Sequence, residues 1–214
     1  MSEKITLKEM KHDGLVDAVA TTATFFERHR LPLLILAVLL VTAAVVFGLF
    51  SSRASGRRAE AARLLNEAES RTDLENVYEN FPETSSAPLA LLRAGALAFS
   101  AEDYAAARAA YLLFLEKYPR HHLADFSQMG VAASLEAEER WGEAIDAYRE
   151  MFARYPGSVR IPEAAFNQGR CWQAAGRPGE ARQAFQQVYE RFPQSPYAFL
   201  AREEWVALGY SQGE

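Results

Sequence analysis

The stretch ARAAYLLFLEKYP, residues 107–119, returns as AIDAYREMFARYP at 144–156 and as ARQAFQQVYERFP at 181–193. An earlier copy, SRTDLENVYENFP at 70–82, keeps the register with Ser70 in place of the leading alanine. The closing prolines, Pro82, Pro119, Pro156 and Pro193, stand 37 residues apart, and each follows an aromatic residue. Leu74, Tyr111, Tyr148 and Phe185 hold one shared place, and Val77, Phe114, Met151 and Val188 another. A fixed period of this size marks an array of stacked units, none of which buries its apolar face alone.

Inside a copy the apolar residues fall three and four apart, as in Ala107, Tyr111, Phe114, Leu115 and Tyr118, which is one face of an α-helix. The proline ends that helix, since it lacks an N–H and restricts the residue before it. Further helices are predicted to open at Pro88, near Asp125, at Pro162 and at Pro196. Each full unit carries a small residue at a fixed place in its earlier helix: Gly95, Ala132 and Gly169. With the Ala107, Ala144 and Ala181 column, these small side chains leave room for Tyr111, Tyr148 and Phe185. The short links at Ala101–Tyr104, Glu138–Trp141 and Ala175–Pro178 fit antiparallel helix hairpins.

This pattern of small residue, alanine, aromatic and proline resembles the tetratricopeptide repeats. The units carrying it read Gly95, Ala107, Tyr111 and Pro119; Ala132, Ala144, Tyr148 and Pro156; and Gly169, Ala181, Phe185 and Pro193. The period departs from the family's by three residues, which fall after the proline. The expected fold class is all-α, a tetratricopeptide-like α-solenoid of stacked hairpins preceded by one transmembrane helix. Residues 51–87 read as a degenerate first unit, with helices around 57–69 and 73–80, and 88–195 as three full units. Residues 196–214 read as a closing helix and tail, with Arg202, Glu203 and Glu204 on its outer side as a cap, or else with Tyr197, Leu200 and Trp205 as the start of a truncated unit.

From Leu31 to Phe50 run twenty residues without a charge. A helix of that length spans about 30 Å, the thickness of bilayer hydrocarbon. A cleaved signal peptide would want a shorter apolar core and a small-residue cleavage site, where this chain has Ser51-Ser52-Arg53. The run is therefore read as a retained membrane anchor. Residues 1–30 read as a tail whose Asp13–Arg30 segment forms a short amphipathic helix, with Leu15, Val16, Val19 and Phe26 on one side. Lys and Arg are nearly balanced on the two sides of the span, so charge does not set its orientation.

Composition narrows function mainly by exclusion. The net charge of −5 belongs to the part after the span, and no basic stripe interleaved with aromatics suggests nucleic acid. After the span there are seventeen arginines and one lysine, Lys117, a bias that the sequence leaves unexplained. Cys171 is the only cysteine and reads as a small buried hydrophobe. His121-His122 sit in a turn without a second set of converging ligands, so no metal site is expected. Glu138-Glu139 and Glu203-Glu204 point about 100° apart on a helix and do not form carboxylate pairs. The segment Gly176-Arg177-Pro178-Gly179 is a repeat turn rather than a phosphate loop. No catalytic constellation, cofactor or small-molecule substrate is indicated, and the chain is not read as an enzyme.

The resemblance implies that the first helices of the hairpins line a groove. Carried over by place, its candidate residues are Leu89, Leu92, Ala96 and Phe99, then Phe126, Met129, Ala133 and Glu136, then Glu163, Phe166, Arg170 and Gln173. Such a groove is apolar at one end, and apart from Asn167 it lacks the residues that clamp a C-terminal carboxylate in chaperone-binding members. It suits a partner helix or extended segment, unless the closing helix or a neighbouring unit covers it.

The layout of tail, span and repeats, with Phe25-Phe26-Glu27-Arg28-His29-Arg30 before the span, resembles single-span bacterial proteins ancillary to the Sec translocon. That resemblance implies a cytoplasmic N-terminus, an inner-membrane anchor and a periplasmic repeat domain meeting translocon subunits, chaperones or exported chains. The Tyr/Phe-Pro-x-Ser spacing also resembles periplasmic repeat proteins of outer-membrane assembly and division. A structural adaptor joining inner-membrane complexes to outer-membrane or wall machinery is therefore the alternative.

Overall fold

The 37-residue period reappears in the backbone hydrogen bonds of the turns. The amides of Thr84, His121, Ser158 and Ser195 donate to the carbonyls of Phe81, Tyr118, Tyr155 and Phe192. Those same four residues then accept, through their own carbonyls, from Ala87, Ala124, Ile161 and Ala198. The structure, a computed structural model, describes the backbone of residues 7–210 and the side chains of 30–209 other than 33. The elements are α1 (Leu7–Glu67), α2 (Arg71–Asn80), α3 (Ser86–Ser100), α4 (Tyr104–Lys117), α5 (Ala124–Ala137), α6 (Trp141–Arg154), α7 (Ile161–Ala174), α8 (Pro178–Arg191) and α9 (Pro196–Tyr210). Among the described residues there is no strand.

The chain divides between Gly56 and Arg57 into two compact units. In the first, the side chains from Leu31 to Phe50 that are described are all exposed. This stretch is long and apolar enough to cross a membrane, and by the same measure it suits a signal sequence. The predicted amphipathic face of Leu15, Val16, Val19 and Phe26 lies outside the described side chains. The sequence suggests separate helices for tail, span and first unit, whereas α1 runs unbroken over all three. Ser51, Ser52 and Ser55 lie within this helix. The hydroxyls of Ser51, Ser52 and Ser55 donate to the carbonyls of Gly48, Leu49 and Ser51. Their polar groups are thus satisfied without leaving the helix.

In the second unit each helix packs on the next from α2 to α9, and the first helices of adjacent hairpins also meet, α3 with α5 and α7 with α9. The aromatic column locks this stack. A β-carbon on Gly95 would come 2.7 Å from the Tyr111 ring, and one on Gly130 would come 2.5 Å from its other side. Tyr111 of α4 is thus wedged between α3 and α5. Phe185 repeats the arrangement against Gly169, at 2.6 Å. Burying such a ring stabilises the stack by roughly 1.5–3 kcal/mol.

Each hairpin link repeats too. The amides of Asp103, Arg140 and Arg177 donate to the carbonyls of Ala98, Leu135 and Trp172, five residues back. The residue before each adopts positive φ: Glu102 at 60°, Glu139 at 56° and Gly176 at 71°. This is a Schellman-type helix end, for which the sequence supplies the usual glycine only at the third link. The next helix is opened by the Asp103 carboxylate, which accepts from the Ala106 amide at 3.1 Å. In α6 and α8 Arg140 and Arg177 stand there instead and pair with Glu143 and Glu180.

The first hairpin departs from the rest because α2 starts late. Ser70 and Asp73 form a reciprocal capping box, so the helix begins only at Arg71. The turn that α4, α6 and α8 form before their alanine column is missing. The predicted openings shift slightly: α3 starts at Ser86, with Pro88 inside its first turn, where a missing N–H is harmless.

The structure also accounts for the arginine bias. Guanidinium groups lie over aromatic rings at Arg57–Phe81, Arg154–Tyr155, Arg160–Phe126, Arg177–Trp172, Arg182–Trp205, Arg191–Phe192 and Arg202–Tyr189. A planar cation stacks and donates at once, which the compact ammonium of lysine does less well. Arg93 uses its fork differently: it donates to the carbonyls of Leu65 and Ala68, at the C-terminal end of α1.

Candidate protein-binding face

The candidate residues occupy the first helices α3, α5 and α7, and differ in how much each offers a partner. Leu89 is 38% exposed, and Arg170 and Gln173 are also exposed. Phe99 is half-buried, edge-on to Tyr104 with ring centroids 5.2 Å apart. Phe126 is half-buried between Arg160, 4.8 Å above its ring, and Tyr111. Leu92, Met129 and Phe166 are buried. For Phe166 the cover includes α9, whose Tyr197 ring lies 5.7 Å away. The accessible apolar part therefore lies at the α3 end of the array, around Leu89 and Phe99.

Between α5 and α7 lies a polar cluster centred on Glu136. The hydroxyl of the fully buried Tyr148 donates to Glu136 Oε2 at 2.8 Å. Arg170 Nη1 approaches Glu136 Oε1 at 3.4 Å from the next hairpin. Burial, and then the Glu136 charge, push the Cys171 thiol up to about 12. The Tyr148 phenol is raised by the same two causes in the same order. Both groups stay protonated at neutral pH, so neither is a nucleophile or base there. What the cluster does is tie two hairpins together through one carboxylate. The sequence marks Glu136 by place but not by this role, because Arg170 and Tyr148 come within its reach only in the folded stack.

Gly130 was missed for a related reason. Its counterpart 37 residues on is Asn167, so no column of small residues reveals it. The histidine turn is also more structured than its composition suggests. His121 Nδ1 accepts from the Leu123 amide at 3.2 Å, and its ring stands edge-on to Phe114. Burial, and then the neighbouring His122, lower the His121 pKa. Among the described residues no group of three or more His, Cys, Asp or Glu is placed to hold a metal ion.

Family models described as tetratricopeptide repeats match residues 89–121 and 129–196. Residues 89–121 and 129–196 are thus similar to tetratricopeptide repeats. The nearly identical TPR-like repeats of a kinesin-light-chain-type protein from Podosopora anserina align with a TM-score of 0.55 at 16% identity, over 76% of this chain and 87% of that one. A tetratricopeptide repeat protein from Parabacteroides merdae aligns at 0.56 and 13% identity, over 73% and 60% respectively. MamA from Desulfovibrio magneticus RS-1 aligns at 0.50 and 17%, over 73% and 93%. At such identities these likenesses speak for the solenoid fold. No curated protein matches the chain. The repeats indicate a scaffold for protein–protein interaction and, with it, protein partners.

Proposed function

We propose that the protein is a membrane-anchored, non-catalytic scaffold of the bacterial cell envelope that binds proteins beside the Sec translocon. Its partners are translocon subunits, envelope chaperones or newly exported chains, and no cofactor takes part. The observation that carries this reading is the pairing, in one chain, of an apolar stretch with exposed side chains and an array of tetratricopeptide repeats. The repeat array follows the anchor and lies outside the cytoplasm, with the N-terminus in the cytoplasm. The groove residues that a partner meets are Leu89, Phe99, Phe126, Arg170 and Gln173, with Leu92, Met129 and Phe166 supporting them from below.

Site-specific photo-crosslinkers at Leu89 and Gln173, placed in intact cells, test the partner. The expected products contain translocon subunits or envelope chaperones. Products made only of wall or outer-membrane assembly proteins would replace this reading with the structural adaptor. A compartment-sensitive reporter on the C-terminus tests orientation: it is expected to work outside the cytoplasm, and activity confined to the cytosol refutes the envelope assignment.

A further inference from the structure

The last helix, α9, stands where the first helix of a further hairpin would stand, packing on α8 and α7 as α5 packs on α4 and α3. It buries Ala198, Ala201 and Leu208 on the side that meets them. At 100° per residue, Phe199, Arg202, Glu203 and Val206 occupy an arc of about 100° on the opposite side. In the preceding hairpins that side of the first helix is covered by the hairpin's own second helix. Val206 falls 37 residues after Gly169, the residue that abuts Phe185. Here no second helix follows within the described residues, and Phe199 is 66% and Val206 39% exposed. Of the three charged residues expected on the outer side, Arg202 and Glu203 are exposed there beside two apolar side chains, and Glu204 is half-buried. A terminal helix that meets only water carries a polar outer face.

The order of the four residues is its own complement when reversed. We propose that α9 pairs antiparallel with α9 of a second copy of this chain, about a two-fold axis passing between residues 202 and 203. An isologous contact demands that if one residue meets another, the second meets the first across the axis. In this register Phe199 meets Val206 of the partner subunit, and Arg202 meets Glu203 of the partner subunit, each pair occurring twice. Neither charge is engaged in an ion pair among the described residues: Arg202 lies over the Tyr189 ring, 5.8 Å from its centroid, and Glu203 has no charged partner there. A foreign helix would require no such reversible order, which is why the occupant is a second copy. This pairing stands independently of the envelope reading above.

The test uses the full chain in detergent micelles, with mass measured by light scattering over a concentration series. A concentration-dependent dimer is expected. R202E alone and E203R alone each set like charges opposite one another twice, weakening the dimer by at least about tenfold. The double variant R202E/E203R restores it. An equimolar mixture of the two single variants also dimerises, because one copy then presents two carboxylates and the other two guanidinium groups. All these positions are exposed, and circular dichroism checks that each variant keeps its helices. A monomer at every concentration overturns the proposal, as does a dimer indifferent to both single swaps, which is held elsewhere. Failure of both the double variant and the mixture to pair overturns it equally.

Discussion

At the N-terminal end of the repeat array the last carbonyls of α1 are held by Arg93 of α3, whereas at the C-terminal end α9 turns Phe199 and Val206 to solvent. The first end is sealed by polar pegs. Arg57 adds to them, donating to the Asn80 carbonyl at 2.7 Å and pairing with Glu83 at 2.8 Å, and the capping box of α2 closes the link. A small core of Leu65, Ala68, Leu74, Val77, Ala90 and Ala94 lies beneath. The last end rests mainly on apolar packing, Phe166 and Phe185 among it, with Arg182 stacked over Trp205 and Arg202 over Tyr189, and the outer face of α9 exposed. Within the described residues the array satisfies backbone groups at one end and presents a surface at the other.

The strongest way to break this contrast is to remove the ring on which the C-terminal end rests. Phe185→Ala is expected to cost about 3–5 kcal/mol, since the side chain is fully buried and its cavity cannot close against Gly169. Amide exchange should show α7–α9 losing protection first while α1–α3 keep theirs, because neighbouring repeats share only nearest-neighbour contacts. Equal loss at both ends would mean that the array melts as one unit and that the two ends do not differ in this sense.

Arg93→Met tests the other end. It keeps the aliphatic stem and removes two charge-assisted hydrogen bonds, at an expected cost of about 1–3 kcal/mol. Exchange should rise around residues 65–68 and in α2, and remain unchanged in α9. If α9 responds as strongly as α2, the peg at the first end is not local.

The smallest effect concerns the corner residue of the turns, Thr84 and Ser195 at the two ends and His121 between them. Folding lowers the His121 pKa, through burial and then His122, and the neutral ring accepts from the Leu123 amide. The unfolded chain therefore binds the proton more readily. The stabilising contribution is complete above the ordinary histidine value of about 6.5 and is lost as pH falls through the lowered folded value. His121→Ser installs the residue that serves at Ser158 and Ser195, where the hydroxyl accepts from Arg160 at 3.1 Å and from Tyr197 at 3.2 Å. Urea midpoints measured on both sides of that range should fall less for this variant than for the parent chain. Parallel pH profiles would show that His121 contributes nothing to the acid response.

Much of the stack was legible in the chain because its columns recur at one interval. Pro119, Tyr111 and Ala107 announce a hairpin, and their counterparts confirm the register. The late start of α2 was also written locally, in Ser70-Arg71-Thr72-Asp73. Other features were not. Gly130 has an asparagine as its counterpart, and Glu102 and Glu139 adopt a backbone conformation that favours glycine. Periodicity reports what is shared, so it is silent about a residue that one unit alone uses. The groove residues show the same limit: Leu89 and Met129 look alike on paper, and only the neighbouring helices leave one exposed and cover the other. The continuous α1 escaped for a different reason: the apolar run marks off the span by composition, and nothing in composition shows that the helix continues past it through Ser51, Ser52 and Ser55, whose hydroxyls bond back into it.

The sequence by itself determined the helices, their pairing into hairpins and the length of the apolar run, because these follow from spacing along the chain: 3.6 residues per turn, a closing proline every 37 residues, twenty uncharged residues together. Tertiary structure alone decided which carboxylate joins two hairpins, which arginine seals a helix end and which side of α9 stays bare. Those depend on side chains brought together from residues tens of positions apart. Distance in space, unlike distance along the chain, is set only when the whole stack has closed.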